Sequence, residues 1–311
     1  MSIKENIIKV LPTGLYNTYR TKKLKLKSKL IQNSSDKTFL KYQYRGFLGK
    51  ELDLKNPETF TEKIQWLKLY DRKPEYSTMV DKYEAKKYVA EKIGEEHIIP
   101  TYGVWDKFDD IDFDKLPNQF VLKCTHDSGS VVICKDKTTF DINYAKEIIN
   151  ENLNKTHYKL AREWVYKNIK PRIIAEKFMS CDNQELIDYK FFCFNGEPKF
   201  LYVSTGLASA SNAGAEISFF TLDWQLAPFY RKDFKILSYF PKKPAHLEEM
   251  INISKILSEN IPFVRVDLYE INNQVYFSAL TFYPHGGYIP FEPEEWDRKL
   301  GDLIDLPPET K

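Results

Sequence analysis

Asn195-Gly196 lies between two strongly apolar runs, DYKFFCF and EPKFLYV, and no other feature restricts the fold of this chain so sharply. Both residues tolerate positive φ, as a two-residue hairpin turn requires, so two antiparallel strands must meet there. The run FVRVDLYE-INNQ-VYFSALTFY repeats the pattern around Asn272-Asn273. A third pair, FVLKC (120–124) and VVICK (131–135), is joined by a polar loop, and RIIAEKF brings the β texture back near residue 173. Sheets alone do not fill the chain. Asn56-Pro57 followed by Thr59-Phe60-Thr61-Glu62 predicts a helix start with a Thr-x-x-Glu capping box and a proline in the first turn. Phe60, Ile64 and Leu67 then recur at helical spacing. Further helices are expected from Asp81 to Gly94 with Ala85, Tyr88, Val89 and Ile93 inward, and over about 141–153, 158–168, 246–259 and 294–303. Helices leading into β-rich blocks indicate an α+β chain, with two lobes able to hold a ligand between them.

Composition narrows the setting. No apolar run approaches the roughly 20 residues that cross a bilayer, and MSIKENIIKVLPTG lacks the apolar core and cleavage site of a secretory signal. The four cysteines, Cys124, Cys134, Cys181 and Cys193, form no CxxC pair and are expected as reduced, mostly buried thiols. A cytoplasmic protein is the expectation. The net charge of +2 conceals an asymmetry: residues 1–50 hold ten Lys and two Arg against Glu5 and Asp36, a local +10 that leaves −8 for the rest. Such a segment suits peripheral contact with an anionic membrane or an acidic polymer, or else a solvated lysine face on a docking helix. No nucleic-acid module accompanies it, so nucleic acid is not an expected partner.

Three segments can carry chemistry. In FVLKCTHDSGSVVICK, Lys123 ends a buried strand, and a loop with Gly129 can turn backbone N–H groups toward phosphate oxygens. Many hairpins have a polar tip, so this segment alone decides little. In IIAEKFM, Glu176 interrupts an apolar strand, and Asp188 opens the following hairpin; both can accept hydrogen bonds from a ligand or simply be edge-strand charges. In FVRVDLYE, Arg265 and Asp267 are two apart and therefore share one face of a strand, with Val264 and Val266 on the other. They can form a salt bridge, or an arginine for phosphoryl charge beside a metal-binding carboxylate.

Lys82 in VDKYEAKKYV, Lys123 in VLK, the THDSGS loop, Glu176 in IAEKF, and Arg265-Val266-Asp267 follow in the order found in ATP-grasp ligases. NPETFTEKIQWLKLYDR, LPNQFVLKCTHDSG, YKNIKPRIIAE, DYKFFCFNGEPKF, LTFYP and EEWDRKLGDL resemble the TupA-like group of that superfamily, from about Asn56 to Leu303. The resemblance implies an ATP-grasp fold with four parts: a basic helical segment at 1–55, a helical or α+β region at 56–115, a lid lobe at 116–180 and a catalytic lobe at 181–311. It implies that Lys82 and Lys123 contact ATP phosphates and that the loop His126, Ser128, Gly129, Ser130 closes over them. Glu176 with Phe178 would line the adenine, Lys177 would supply hinge backbone contacts, Asp188 would hold the ribose, Lys190 would also contact the cofactor, and Arg265 would steady the transferred phosphoryl or acyl-phosphate oxygen. Asp267 would bind magnesium. It further implies an ATP-dependent ligase that joins a carboxylate to an amine through an acyl phosphate. The partners would be a uronic-acid-containing surface polysaccharide or its precursor and an amine such as an amino acid.

Two positions depart from the group, Ala279 and Ser130. Ala279 stands where the group usually has an acid, in a run resembling G-E-L-T-F-Y-P, and an alanine methyl cannot ligate magnesium. Thr281 stands where ATP-grasp enzymes generally have an Asn-like ligand, so the resemblance leaves Asp267 and the Thr281 hydroxyl for the metal. The acid is lost in a degenerate member or was removed deliberately. Ser130 replaces a common glycine, which would stiffen the lid. Two competing functions follow: a catalytically silent ATP-binding protein, and a glycosyltransferase, for which Asp109-Asp110-Ile111-Asp112 is the nearest thing to a DxD motif. His285, beside Gly286-Gly287, either faces the acceptor pocket or is an ordinary turn residue.

Overall fold

The computed structural model describes residues 31–127, 129–180, 186–205 and 216–309. The lysine-rich run at 21–30, Ser128 and Cys181 therefore lie outside the described residues. Contacts divide the chain into residues 1–53 and 54–311. In the first unit, helix α1 (Asp36–Leu48) starts on Ser35, whose hydroxyl accepts from Thr38 N, and ends on Gly49 at φ 73°. Phe39, Leu40 and Tyr44 on that helix are buried.

The second unit contains the remaining described elements. Helix α2 (Phe60–Tyr70) has the expected capping box, Thr59 and Glu62 each closing on the other's backbone. Pro57 stands two residues before the cap, not in the first turn, because Thr59 takes the capping role. Helix α3 (Glu75–Val80) precedes α4 (Glu84–Ile93), which starts later than expected: Asp81 stays outside and accepts from Tyr83 N and Glu84 N. Helix α5 covers Ile142–Leu153. The expected helix over 158–168 is instead a short α6 (His157–Ala161), stopped by Arg162 at φ 52°, then a 3-10 turn at Trp164–Tyr166. Helices α7 (Leu247–Ser258) and α8 (Glu295–Asp302) fall close to their expected bounds.

Strands β1 (Thr101–Trp105), β2 (Phe120–Cys124), β3 (Val131–Cys134) and β4 (Ile173–Lys177) form an antiparallel sheet in the order β1-β4-β2-β3. Alternation assigns its two faces. Phe120, Leu122, Cys124, Ile173 and Ala175 join Ala145 and Ile149 of α5 in one apolar core. Val121, Lys123, Ile174 and Glu176 are left for the other face. The larger sheet has the order β10-β9-β5-β6-β7, built from β5 (Asp188–Phe194), β6 (Glu197–Thr205), β7 (Glu216–Thr221), β9 (Phe263–Ile271) and β10 (Gln274–Thr281). Both expected hairpins are present, with Asn195 at φ 51°, Gly196 at 82°, Asn272 at 50° and Asn273 at 63°. Two-residue β8 (Tyr230–Arg231) and β11 (Phe291–Glu292) make a separate ladder. Helix α7 packs on β5, β6 and β9. Cys193 Sγ lies 3.8 Å from Ser254 O on α7 and Cys193 pairs with Val264, so this face of β9 meets the helix. Arg265 and Asp267 then project from the opposite face. Cys124, Cys134 and Cys193 are buried free thiols, as expected.

Candidate functional site

The polar face of the smaller sheet and that of β9–β10 border one cleft, lined by Lys82, Lys86, Asp127, Gly129, Tyr166, Glu176, Arg265, Asp267, Ala279 and Thr281. On the first wall, Glu176 is buried and both its oxygens are taken: Lys86 Nζ is 2.6 Å from Oε1 and Lys123 Nζ is 2.6 Å from Oε2. Lys123 pairs with Ile174 and Glu176 with Val121, so the lysine reaches its partner along the diagonal between adjacent strands. Burial alone would raise the Glu176 carboxyl, but Lys123 and then Lys86 outweigh it and hold it at about 2. The same contact raises Lys123 against the lowering effect of burial, whereas burial prevails at Lys86 and lowers it.

The hairpin loop after β2 closes on Lys82. Its ammonium donates to Cys124 O at 2.7 Å and to the Asp127 carbonyl, and lies 3.3 Å from Asp127 Oδ1. Ser130 Oγ donates to Asp127 Oδ1 at 2.7 Å and accepts from Cys124 N at 2.9 Å. The serine in place of a second glycine thus ties the loop to its own strand. Gly129, at φ 111°, supplies the turn that a side chain would strain.

Across the cleft, Arg265 grips Asp267 with two parallel bonds, Nε to Oδ1 and Nη2 to Oδ2, each 2.6 Å. Its Nη1 donates to Tyr202 Oη at 3.0 Å and its Nη2 to Thr281 Oγ1 at 3.1 Å. Lys190, directly opposite Asp267 on β5, is 3.6 Å from Asp267 Oδ2 and 2.9 Å from Asp188 Oδ1. Burial would lower both cations, but Asp267 raises Arg265 overall, and Asp188 followed by Asp267 does the same for Lys190. On β10 a bulge between Phe277 and Ala279 sets the register, so Ala279 faces Asp267 and Thr281 faces Arg265.

Most of the expected residues therefore meet. Lys82, Gly129, Glu176, Arg265, Asp267, Ala279 and Thr281 line the cleft, Lys123 joins through Glu176, and Lys190 with Asp188 join through Asp267. Others do not. His126 is buried with Nε2 3.2 Å from Lys155 O, behind the loop instead of over the cleft. Lys177, expected to act through its backbone, donates its N–H to Pro100 O at 2.9 Å, and its side chain is exposed. Phe178 is half-buried beyond the strand end, outside the lining. Lys86 was not anticipated; a helix from Asp81 would have set it on one face with Lys82, but Lys82 precedes α4 and reaches the loop after β2 instead.

The metal expectation meets an obstacle. Arg265 occupies both Asp267 oxygens, Thr281 accepts from the same guanidinium, and Ala279 offers only a methyl. Among the described residues, no group of three or more His, Cys, Asp or Glu is arranged to hold a metal ion. These side chains do not fit a protein-held magnesium site. Asp109 and Asp110, for their part, are exposed in a 3-10 turn, with Asp109 paired to Lys146 at 2.6 Å, outside the cleft.

A model of the TupA-like ATP-grasp family matches residues 62–305. The chain belongs to that family. The match contains every cleft residue named above and ends close to α8. No curated protein matches the sequence. Similar solved structures include a D-alanine–D-alanine ligase from Bacillus anthracis complexed with ATP, at 18% identity and TM-score 0.36, covering 66% of this chain and 53% of that one. A RimK-domain ATP-grasp protein from Sphaerobacter thermophilus follows at 11% identity and TM-score 0.40, covering 76% and 70%. An L-amino acid ligase from Bacillus licheniformis matches at 12% identity and TM-score 0.39, covering 67% and 44%. The TupA-like chain thus spans about half the length of the first of these, and the family assignment rests on the family model and the motifs.

Proposed function

We propose that this chain binds ATP in the cleft and acts as a carboxylate–amine ligase. One observation carries the reading: a single cleft is bordered by Lys82, Lys86 and Glu176 on one wall and by the Arg265–Asp267 pair on the other. A nucleotide triphosphate needs fixed cations along its phosphates; Lys82 and Lys86 line that wall, and Lys123 stands beside them on Glu176. In the reaction, a carboxylate oxygen takes the γ-phosphoryl group, giving an acyl phosphate and ADP. The amine nitrogen then attacks the acyl carbon, phosphate leaves, and the amine loses a proton. Arg265 faces the region where negative charge builds and can stabilise it as a preorganised donor. A uronic-acid-containing surface polysaccharide or its precursor is the carboxylate partner we favour, with an amino acid as amine. That choice derives from the family resemblance.

A specific observation favours a second reading, in which the chain holds nucleotide without turnover. Ala279 faces Asp267 in register, and the single carboxylate left at that point is bound to Arg265. One experiment separates the two. Phosphate release is followed with ATP, uronic-acid and amino-acid candidates, comparing the parent with Ala279→Glu. Release by the glutamate form alone supports the silent reading, and equal release by both supports the ligase reading with position 279 outside the chemistry. Nucleotide binding itself is tested by thermal shift with ATP and a nucleotide sugar. Lys123→Ala should weaken ATP roughly 10- to 100-fold, the worth of a charge-assisted hydrogen bond. An unchanged affinity would exclude this cleft as the ATP site.

A further inference from the structure

Five of the eleven exposed large apolar side chains among the described residues fall between positions 226 and 240: Leu226, Tyr230, Ile236, Tyr239 and Phe240. Ile236 is 53% exposed and Phe240 56%. The segment that holds them is not a loose loop. It runs along the outer edge of β7: Ile217 N donates to Lys235 O at 2.8 Å, Leu237 N to Ser218 Oγ at 3.1 Å, and Ser238 N to Glu216 Oε2 at 2.8 Å. Phe240 packs edge-on against Phe220 at 5.4 Å, Phe220 stacks on Trp224 at 4.7 Å, and Trp224 Nε1 donates to Pro241 O. Leu226 is tied to the same residue by a backbone bridge to Phe220. Apolar side chains fixed in solvent by this many backbone ties have been built outward.

Residues 225–247 hold Arg231 and four lysines against one acid, so the stretch itself is net positive. Lys232, Lys235, Lys242 and Lys243 are exposed there, Lys232 paired with Glu292 and Lys243 4.0 Å from Glu248; between Phe234 and Leu247 there is no acid, although Glu216 of β7 is bound to Ser238. The lone acid of 225–247, Asp233, is bound by Arg231. We propose that this ridge docks on an anionic lipid bilayer. Aromatic and aliphatic tips would enter the headgroup–acyl boundary while lysines meet phosphate headgroups. A second copy of the chain is disfavoured, since a self-complementary contact would oppose lysine to lysine. The lysine-rich residues 1–30 carry the same sign and are disfavoured for the same reason. An acidic polysaccharide would meet the lysines but leave Leu226 and Ile236 without apolar partners.

The test is co-sedimentation of the full chain with vesicles of phosphatidylcholine alone or with phosphatidylglycerol added. Binding should require the anionic lipid. Ile236→Ser with Phe240→Ser should lower partitioning at least tenfold. Lys235→Gln, Lys242→Gln and Lys243→Gln should lower it by about fivefold per lysine, while Leu160→Ser, at an exposed apolar site elsewhere, should change nothing. Retained melting behaviour confirms that each variant folds, and if the apolar pair does not fold, the lysine set decides alone. The proposal fails if the parent ignores anionic vesicles, or if both ridge variants bind as the parent does. It also fails if light scattering finds a dimer that the ridge variants abolish, or if a soluble polyuronate binds the ridge with no loss on removing Ile236 and Phe240.

Discussion

Glu176 is a buried carboxylate with a lysine on each oxygen, and that arrangement makes Lys86 as consequential as the better-signalled Lys123. Lys86→Ala should lower nucleotide affinity roughly tenfold by isothermal titration, because Glu176 would then draw Lys123 wholly to itself. An effect below twofold would show that Lys86 serves the fold alone. The second residue-level expectation concerns Ala279. Binding of ADP to the parent should differ by less than twofold between excess magnesium and EDTA, whereas Ala279→Glu should gain a magnesium response of tenfold or more. Strong magnesium dependence in the parent would mean that Asp267 releases Arg265 to take the metal. Arg265 and Asp267 could be assigned to one face from their spacing, but the partner of Asp267 could not. Unbroken pairing from the Asn272-Asn273 turn would bring Ser278 opposite Asp267; the bulge advances Ala279 into that slot. Backbone bulges leave little trace in side-chain alternation, so only the family resemblance pointed to position 279.

Helix α8 docks closely on the start of α2. Asp297 accepts from Thr61 N at 3.0 Å and from its hydroxyl at 2.7 Å, and a Cβ on Gly301 would lie 2.2 Å from Glu58 O. Gly301→Ala should destabilise the protein by about 2 kcal/mol, since backbone cannot yield as a side chain does. A urea midpoint that does not move would show that α8 can slide. Capped helices and Asn-turn hairpins were legible because their signals are local. β7 was not anticipated, and neither was the break at Arg162, which adopts a left-handed conformation that no nearby glycine announces. β7 depends on distant partners, being held between β6 and the 235–238 segment.

At the scale of the molecule, Glu176 sets an acid limit. Its carboxyl is held near 2 when folded, against an ordinary value of 4.5, so it binds a proton more readily in the unfolded chain. The resulting stability is present above about pH 4.5 and is lost as the pH falls toward 2, amounting to about 3 kcal/mol. Denaturation at pH 5 and pH 3 should show a little over half of that loss, about 2 kcal/mol, and Glu176→Gln should remove most of the difference. A parent and variant with identical pH dependence would locate the acid sensitivity elsewhere.

The cations of the cleft are matched from within: Lys82 by Asp127, Lys86 and Lys123 by Glu176, Arg265 and Lys190 by Asp267. The protein therefore behaves as an ion exchanger already loaded with its own counterions. An arriving polyphosphate swaps places with tethered carboxylates that stay on the chain, and few mobile ions return to the solvent. Affinity for nucleotide should then vary only weakly between 50 mM and 500 mM salt, unlike that of an open basic surface, whose binding decays steeply as added ions compete.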